Sequence, residues 1–260
     1  MALRPARAAP LQAYVLHRYD WSESSLILDV FTREQGRIAA AAKGAKRPFS
    51  QLRSVLLPFQ RLSIVLGRRP GDDEAREIDN LRSAEWAGGA AMLTGAALFS
   101  GFYLNELLLR LLARHDPHPA LFDAYAATLV SLGIRGRDDP QSQAALRAFE
   151  LVLLKEIGLL PDLAVETASR MPVVADGRYV VLADAGVVES RNQGEASATG
   201  AILIELQAAL SRGDLPALQA AALRALAELR QLLRAQLHYH LGSSQLRTRQ
   251  VMVDAQALER

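Results

Sequence analysis

Over its first 80 or so residues the chain places apolar positions in short runs bounded by turn residues, the period-two signature of strands. Residues 13–17 (Ala-Tyr-Val-Leu-His) and 25–32 (Ser-Leu-Ile-Leu-Asp-Val-Phe-Thr) predict two strands, and Glu34-Gln35-Gly36 a turn after the second. Arg37 to Ala42 follows as the returning arm of a hairpin, although its four alanines favour helix in isolation, so pairing must override propensity. Residues 43–48 predict a loop. Leu56–Phe59 with Arg61–Leu66 predict a strand pair, or one strand with an irregularity at Pro58, and Gly67–Asp73 a polar turn. Residues 76–81 close the series. Five short strands in this span predict a small closed or partly open barrel of the OB-fold kind.

The period then changes. Leu104, Leu107, Leu108, Leu111 and Leu112 recur at i, i+3, i+4, i+7 and i+8, one face of a helix, broken by Asp116-Pro-His-Pro119. A second helix is expected over 121–132, ended by Gly133. Leu146, Phe149, Leu153, Leu154 and Ile157 stripe a third, ended by Gly158. Strand character returns over 172–190, where Asp176-Gly177 between Val173-Val174 and residues 179–182 predicts a hairpin. Residues 191–200 predict a loop and 201–210 a helix. Asp214-Leu-Pro216 predicts the cap of one long final helix, striped by Leu223, Leu226, Leu229, Leu233 and Leu237 and ended by Gly242. The expected class is α+β and multidomain: an OB barrel over 1–82, then a mostly helical domain over 83–260 with a small β-hairpin insertion at about 160–192.

Charge sharpens this division. The first 69 of 260 residues hold twelve Lys and Arg against four Asp and Glu, a net of +8; the whole chain is +2, so the rest is −6. A basic first quarter on an acidic remainder predicts a polyanion-binding module joined to something else. There are no cysteines, which excludes disulfides and thiolate metal sites and fits a reducing compartment. The first ten residues do not read as a signal peptide, lacking an apolar run behind Arg4 and Arg7. The uncharged stretch 87–105 is rich in Gly and Ala and runs into Glu106, so a buried helix is expected there rather than a membrane span.

Candidate chemistry concentrates in Lys43-Gly44-Ala45-Lys46-Arg47-Pro48-Phe49, three cations in five positions around a glycine. Arg33, Arg37 and Arg53 lie near it in sequence. Together these would neutralise phosphates, with affinity falling steeply in salt. Trp21, Phe49 and Tyr19 are candidates to stack bases; the competing account is a solvated loop with aromatics packed inside. Arg247 and Arg249 form a second basic element, equally readable as a charged helix end. No catalytic constellation emerges. Asp72-Asp73-Glu74, with Glu77 and Asp79, reads as a solvated turn, because a two-metal site needs ligands converging from separate elements. His238 and His240 point to different sides of a helix, and His115 and His118 lack a third ligand. No phosphate loop of the Gly-x4-Gly-Lys-Ser/Thr type exists. Neither catalysis nor a cofactor is expected.

Several strings, in order, resemble the RecO family: residues 13–17, Trp21-Ser-Glu-Ser-Ser-Leu26, Asp29-Val-Phe-Thr32, Gly36-Arg37, Ala42-Lys-Gly-Ala45 and Leu57-Pro-Phe-Gln60. Ser100 to Leu108, Leu146 to Leu151, Leu241-Gly242 and Leu246-Arg-Thr-Arg249 continue the likeness, which spans nearly the whole chain. The resemblance implies a non-enzymatic recombination mediator. Such a protein binds single- and double-stranded DNA, anneals complementary strands, binds RecR and the acidic C-terminal tail of single-stranded DNA-binding protein (SSB), and assists RecA loading indirectly. It also implies a cytoplasmic, nucleoid-associated location away from membranes. Many members hold zinc through four cysteines in the insertion; residues 161–172 contain none, so zinc does not transfer. A receptor for an acidic tail with an apolar end needs a cation beside an apolar pocket. Arg147 is the expected clamp, with Tyr103, Leu107, Arg110 and Phe149 around it; an ordinary Arg147–Glu150 helix pair is the competing account. The alternative function is a general nucleic-acid-binding OB protein without a mediator role.

Overall fold

The structure, a computed structural model, describes residues 9–67, 77–88, 92–190, 197–242, 246, 248 and 251. In chain order the elements are β1 (Leu11–Asp20), β2 (Leu26–Thr32), β3 (Gly36–Ala42), α1 (Leu52–Val55), β4 (Leu62–Gly67), β5 (Asp79–Trp86), α2 (Gly95–Leu111), α3 (Pro119–Arg135), α4 (Pro140–Glu156), β6 (Arg178–Leu182), β7 (Gly186–Glu189), β8 (Ala198–Thr199), α5 (Gly200–Arg212), α6 (Leu215–Arg224) and α7 (Leu226–Leu241). They divide into two compact units: Met1–Met92 with Leu104–Phe122, and Leu93–Tyr103 with Asp123–Arg260.

In the first unit five strands close into a barrel in the order β1-β2-β3-β5-β4, the expected OB-like architecture. Leu11, Ala13 and Val15 of β1 alternate inward and meet Leu28, Val30, Ile38 and Ala40 in the interior. The barrel closes through a short parallel pairing of β3 with β5 at Ala40↔Asp79 and Ala41↔Asn80. Strands β1 to β3 are buried on their outer face too. Tyr14 and Phe31 pack on Phe122, with ring centroids 5.3 and 5.4 Å apart, and Asn105 donates to the Leu16 carbonyl at 2.9 Å. Residues 104–122 thus cover this sheet, which explains the alanine run: Ala40 and Ala42 fill the interior, Ala39 and Ala41 are buried outside, and small side chains suit both sides. At the β2–β3 turn, Gly36 has φ +69°, and a Cβ there would overlap the Asp116 carbonyl.

The strand predicted over Leu56–Phe59 is absent. The short helix α1 and a turn occupy this stretch, and only an isolated bridge joins Pro58 to Val15. The final strand lies later than expected, at β5.

The second unit is helical around a small sheet. Helix α4 begins where it must: Asp139 caps the amides of Gln141 and Ser142, and Pro140 sits in the first turn. Its side chains Leu146, Phe149, Leu153 and Leu154 are buried, with Phe149 against Tyr125. Helix α3 continues through Gly133 and ends at Gly136, φ +80°; one interior glycine costs only about 1 kcal/mol, which packing offsets. The sheet order is β7-β6-β8. The hairpin is β6–β7, turning at 183–185, and not the one expected at Asp176-Gly177. That dipeptide does turn, but residues 175–177 accept hydrogen bonds from Ala201 and Gly200 at the start of α5. The single long final helix is instead α6 and α7, broken at Ala225 (φ −130°, ψ 38°). The break lets Leu218 and Ala222 on one side, and Leu229, Leu233 and Leu237 on the other, all reach the core, leaving Leu223 exposed. Among the described residues no helix is long and apolar enough to cross a membrane.

Candidate nucleic-acid interface and anion pocket

Antiparallel register decides which basic residues of the barrel meet. Leu26 pairs with Ala42 and with Asp20, so the 21–25 loop and the 43–50 turns leave the barrel at one end. The two loops are stitched together: the Lys46 amide donates to Ser24 O (2.9 Å), the Gly44 amide to Ser25 Oγ (3.3 Å), and Lys46 Nζ to Asp20 Oδ1 (3.0 Å) and Ser22 O (2.9 Å). Ala45 plugs the barrel end, and Gly44 takes the positive φ (+72°) that the turn requires. This leaves Lys43, Arg47 and Arg53 exposed beside Trp21 (57% exposed) and Phe49 (99% exposed). Neither aromatic is packed inside. Tyr19 is also exposed, edge-on to His17. Arg18 belongs to the same end, where it donates to Leu56 O, and sequence reasoning misses it. Its only signal is membership of the strand that delivers Tyr19 and Trp21.

Two predicted contacts fall away from this cluster. Arg33 follows β2 at the far end, where Thr32 pairs with Gly36, about 20 Å along the strand at 3.3 Å per residue. Arg37 is turned into the protein. Its Nε and Nη2 donate to both oxygens of Asp29 (2.7 and 2.8 Å), and Nη1 donates to the carbonyls of Leu109 and Leu112 (2.7 and 3.2 Å). The Asp29 hydrogen bonds raise its pKa further, and the guanidinium serves as a cap on the end of α2. The outer face of strands β2 and β3 is the face residues 104–122 cover.

In the second unit a cavity of about 250 Å³ has an apolar floor, including Phe99, Leu146 and Leu237, and a cationic rim. The rim is Arg137, Arg147, Arg230, Arg234 and His238. Sequence reasoning misses Arg230, Arg234 and His238, although their spacing of four along α7 is a signal that they share one helix face. Tyr103 and Arg147, both expected, line this cavity. Phe149 does not: it is fully buried in the core. Leu107 is fully buried and Arg110 pairs with Glu106 at 2.8 Å, and neither lines it. The Arg147–Glu150 pair also forms, at 2.8 Å. Glu150 is fully buried; burial raises its pKa, against the opposing pull of Arg147 and of the Tyr103 hydroxyl, which donates to it at 2.7 Å.

The insertion does not fit the zinc implied by the resemblance. With no cysteine, residues 161–172 use their remaining donors internally: Asp162 accepts from the Ala164 amide, Glu166 from the Ser169 hydroxyl, and Thr167 from the Val187 amide. Among the described residues no three His, Cys, Asp or Glu are grouped to hold a metal. Arg247, Arg249 and the acidic run 72–74 lie outside the described residues.

Residues 9–89 match the family model described as Recombination protein O N terminal, and residues 92–250 that described as Recombination protein O C terminal. Among curated proteins the chain is 55% identical over 248 residues to the DNA repair protein RecO of Polaromonas naphthalenivorans (strain CJ2), covering 95% of this chain and 96% of the relative. It is 54% identical over 256 residues to the protein of the same name from Variovorax paradoxus (strain S110), with coverage of 95% and 96%.

Proposed function

The chain belongs to the RecO family of DNA repair proteins, and from that premise we propose that it is a recombination mediator working without bond-making chemistry. The observation that carries this reading is the juxtaposition, at one barrel end, of exposed Lys43, Arg47 and Arg53 with exposed Trp21 and Phe49. Cations neutralise phosphates of single- or double-stranded DNA and release counterions. The aromatics offer stacking platforms to unpaired bases. Two complementary strands repel one another. A basic surface lowers that repulsion and raises their local concentration, after which base pairing drives annealing. Lys46 contributes charge while bracing the loops, and Arg247 and Arg249 stand as further candidates for DNA contact.

The cationic, apolar-floored cavity is the proposed receptor for the acidic SSB tail. Arg147 holds the terminal carboxylate, Tyr103 lies beside it, and Arg230 and Arg234 attract the acidic residues before it. Docking on SSB, together with RecR, brings the mediator to coated DNA and so assists RecA loading, in the cytoplasm at the nucleoid. Annealing of complementary strands with and without cognate SSB, across a salt titration, tests the whole reading. Annealing of bare strands together with failure on SSB-coated ones would reduce the protein to a general DNA binder.

A further inference from the structure

Glu150 stands out inside the proposed tail receptor, and its role there rests on that reading of the cavity. Its Oε1 accepts from two lining side chains at once, Arg147 Nη2 on its own helix and the Tyr103 hydroxyl on α2. Its Oε2 is buried with no hydrogen-bond partner among the described residues, and so is Arg147 Nε. A charged pair taken out of water with part of its hydrogen-bonding capacity unmet is an expensive arrangement, and an amide of the same shape would fill the site with less penalty. A carboxylate here also works against the cavity. Its rim holds Arg137, Arg147, Arg230, Arg234 and His238, and among the described residues no acidic side chain lines it. The negative charge lies one shell behind the rim, on the guanidinium that a ligand carboxylate would take.

We propose that Glu150 is an internal competitor that sets the affinity of the cavity: it occupies Arg147 while the site is empty and must share that guanidinium with an incoming carboxylate. Two carboxylates on one guanidinium repel across a distance of a few ångströms in a low-dielectric wall, so the incoming ligand binds more weakly than the cationic rim alone allows. The device keeps the site reversible. It also makes the site sensitive to protonation of Glu150, whose proton affinity burial already enhances. The groups around Glu150 are Arg147 on α4 and Tyr103 on α2; Arg137, Arg230, Arg234 and His238 complete the charged and titratable lining of the cavity.

The test uses the full chain and a fluorescein-labelled, aspartate-rich peptide ending in phenylalanine, as free acid and as C-terminal amide, read by anisotropy. Glu150→Gln keeps the acceptor for Arg147 and Tyr103 while removing the charge. It should tighten the free-acid peptide about tenfold and the amide much less, since only the former brings a carboxylate to Arg147. In a His238→Gln background, which removes the other titrating group of the rim, binding should tighten as the pH is lowered towards the ordinary carboxylate range, ahead of the peptide's own protonation. Should Glu150→Gln fail to fold, this second measurement decides alone. Equal or weaker binding by folded Glu150→Gln, or a flat pH profile in the His238→Gln protein, overturns the competitor while leaving the receptor standing. A wild-type protein that ignores the peptide, with Arg147→Ala no different, removes the receptor and the competitor together.

Discussion

Arg37 and Asp29 face each other across neighbouring strands as a two-point ion pair, 2.7 and 2.8 Å, with Asp29 only 2% exposed. The remaining donor of Arg37 reaches backbone carbonyls at the end of α2. The pair ties the β2–β3 hairpin to the segment that covers it. Removing Arg37 leaves the buried Asp29 carboxylate with only the longer ion pair to Arg114 (3.5 Å) and strands two carbonyls. Arg37→Ala should therefore cost about 3–5 kcal/mol of stability, read by urea unfolding. Arg37→Lys should recover only part, because an ammonium cannot reproduce the fork. DNA affinity of the folded fraction should be unchanged in both.

The exposed cations should behave oppositely. Lys43→Glu with Arg47→Glu should leave the melting temperature nearly unchanged and weaken single-stranded DNA binding strongly. The neutral pair Lys43→Gln and Arg47→Gln should lower the slope of log K against log salt by about 1.4, at about 0.7 per phosphate contact. Fluorescence titrations at several salt concentrations measure both. An unchanged slope would place the DNA elsewhere.

Phe49 is 99% exposed, so it contributes nothing to the core. Phe49→Ala should be neutral for stability and cost about 1–3 kcal/mol in single-stranded DNA binding if one base stacks there. Duplex affinity should hardly move, because paired bases are not free to stack on it.

Arg147→Ala should abolish binding of an acidic, apolar-ended peptide and also destabilise the protein, since Glu150 is left buried without its cation. Glu150 has a second signature. Its folded pKa is raised, so between the ordinary carboxylate value of about 4.3 and the folded value the native state holds the extra proton. Stability from this group is therefore lost as pH rises through that window, and Glu150→Gln should flatten the slope. Urea midpoints at several pH values for both proteins supply the comparison.

Gly36→Ala should destabilise the barrel unit by more than about 1 kcal/mol, from the positive φ and the clash with the Asp116 carbonyl together. Thermal unfolding reads this directly.

Whether a feature is visible in the sequence depends on whether its deciding contact is local. Strands β1 to β3, the turn at Gly36 and the stripe of α4 through Leu146, Phe149, Leu153 and Leu154 are written in neighbouring residues, and they appear where the pattern places them. The basic loop 43–47 is legible for the same reason. Arg37 is not, because its partners lie far along the chain at Leu109 and Leu112, and a lone arginine beside a basic loop looks like its neighbours. Phe149 leaves the pocket for the core because a helical stripe does not say which of its members touches the floor and which the interior. The break at Ala225 has no glycine or proline to announce it, since alanine is a good helix former and tertiary packing alone bends the chain there. Asp176-Gly177 forms its turn but not its hairpin, because the strand it was to pair is claimed by β7.

The stitching of residues 161–172 by Asp162, Glu166 and Thr167 has a practical corollary. A segment held by hydroxyls, carboxylates and backbone amides is indifferent to chelators, to thiol-modifying reagents and to a shortage of trace elements. Purification in EDTA or exposure to a disulfide-forming oxidant should leave its fold as it was.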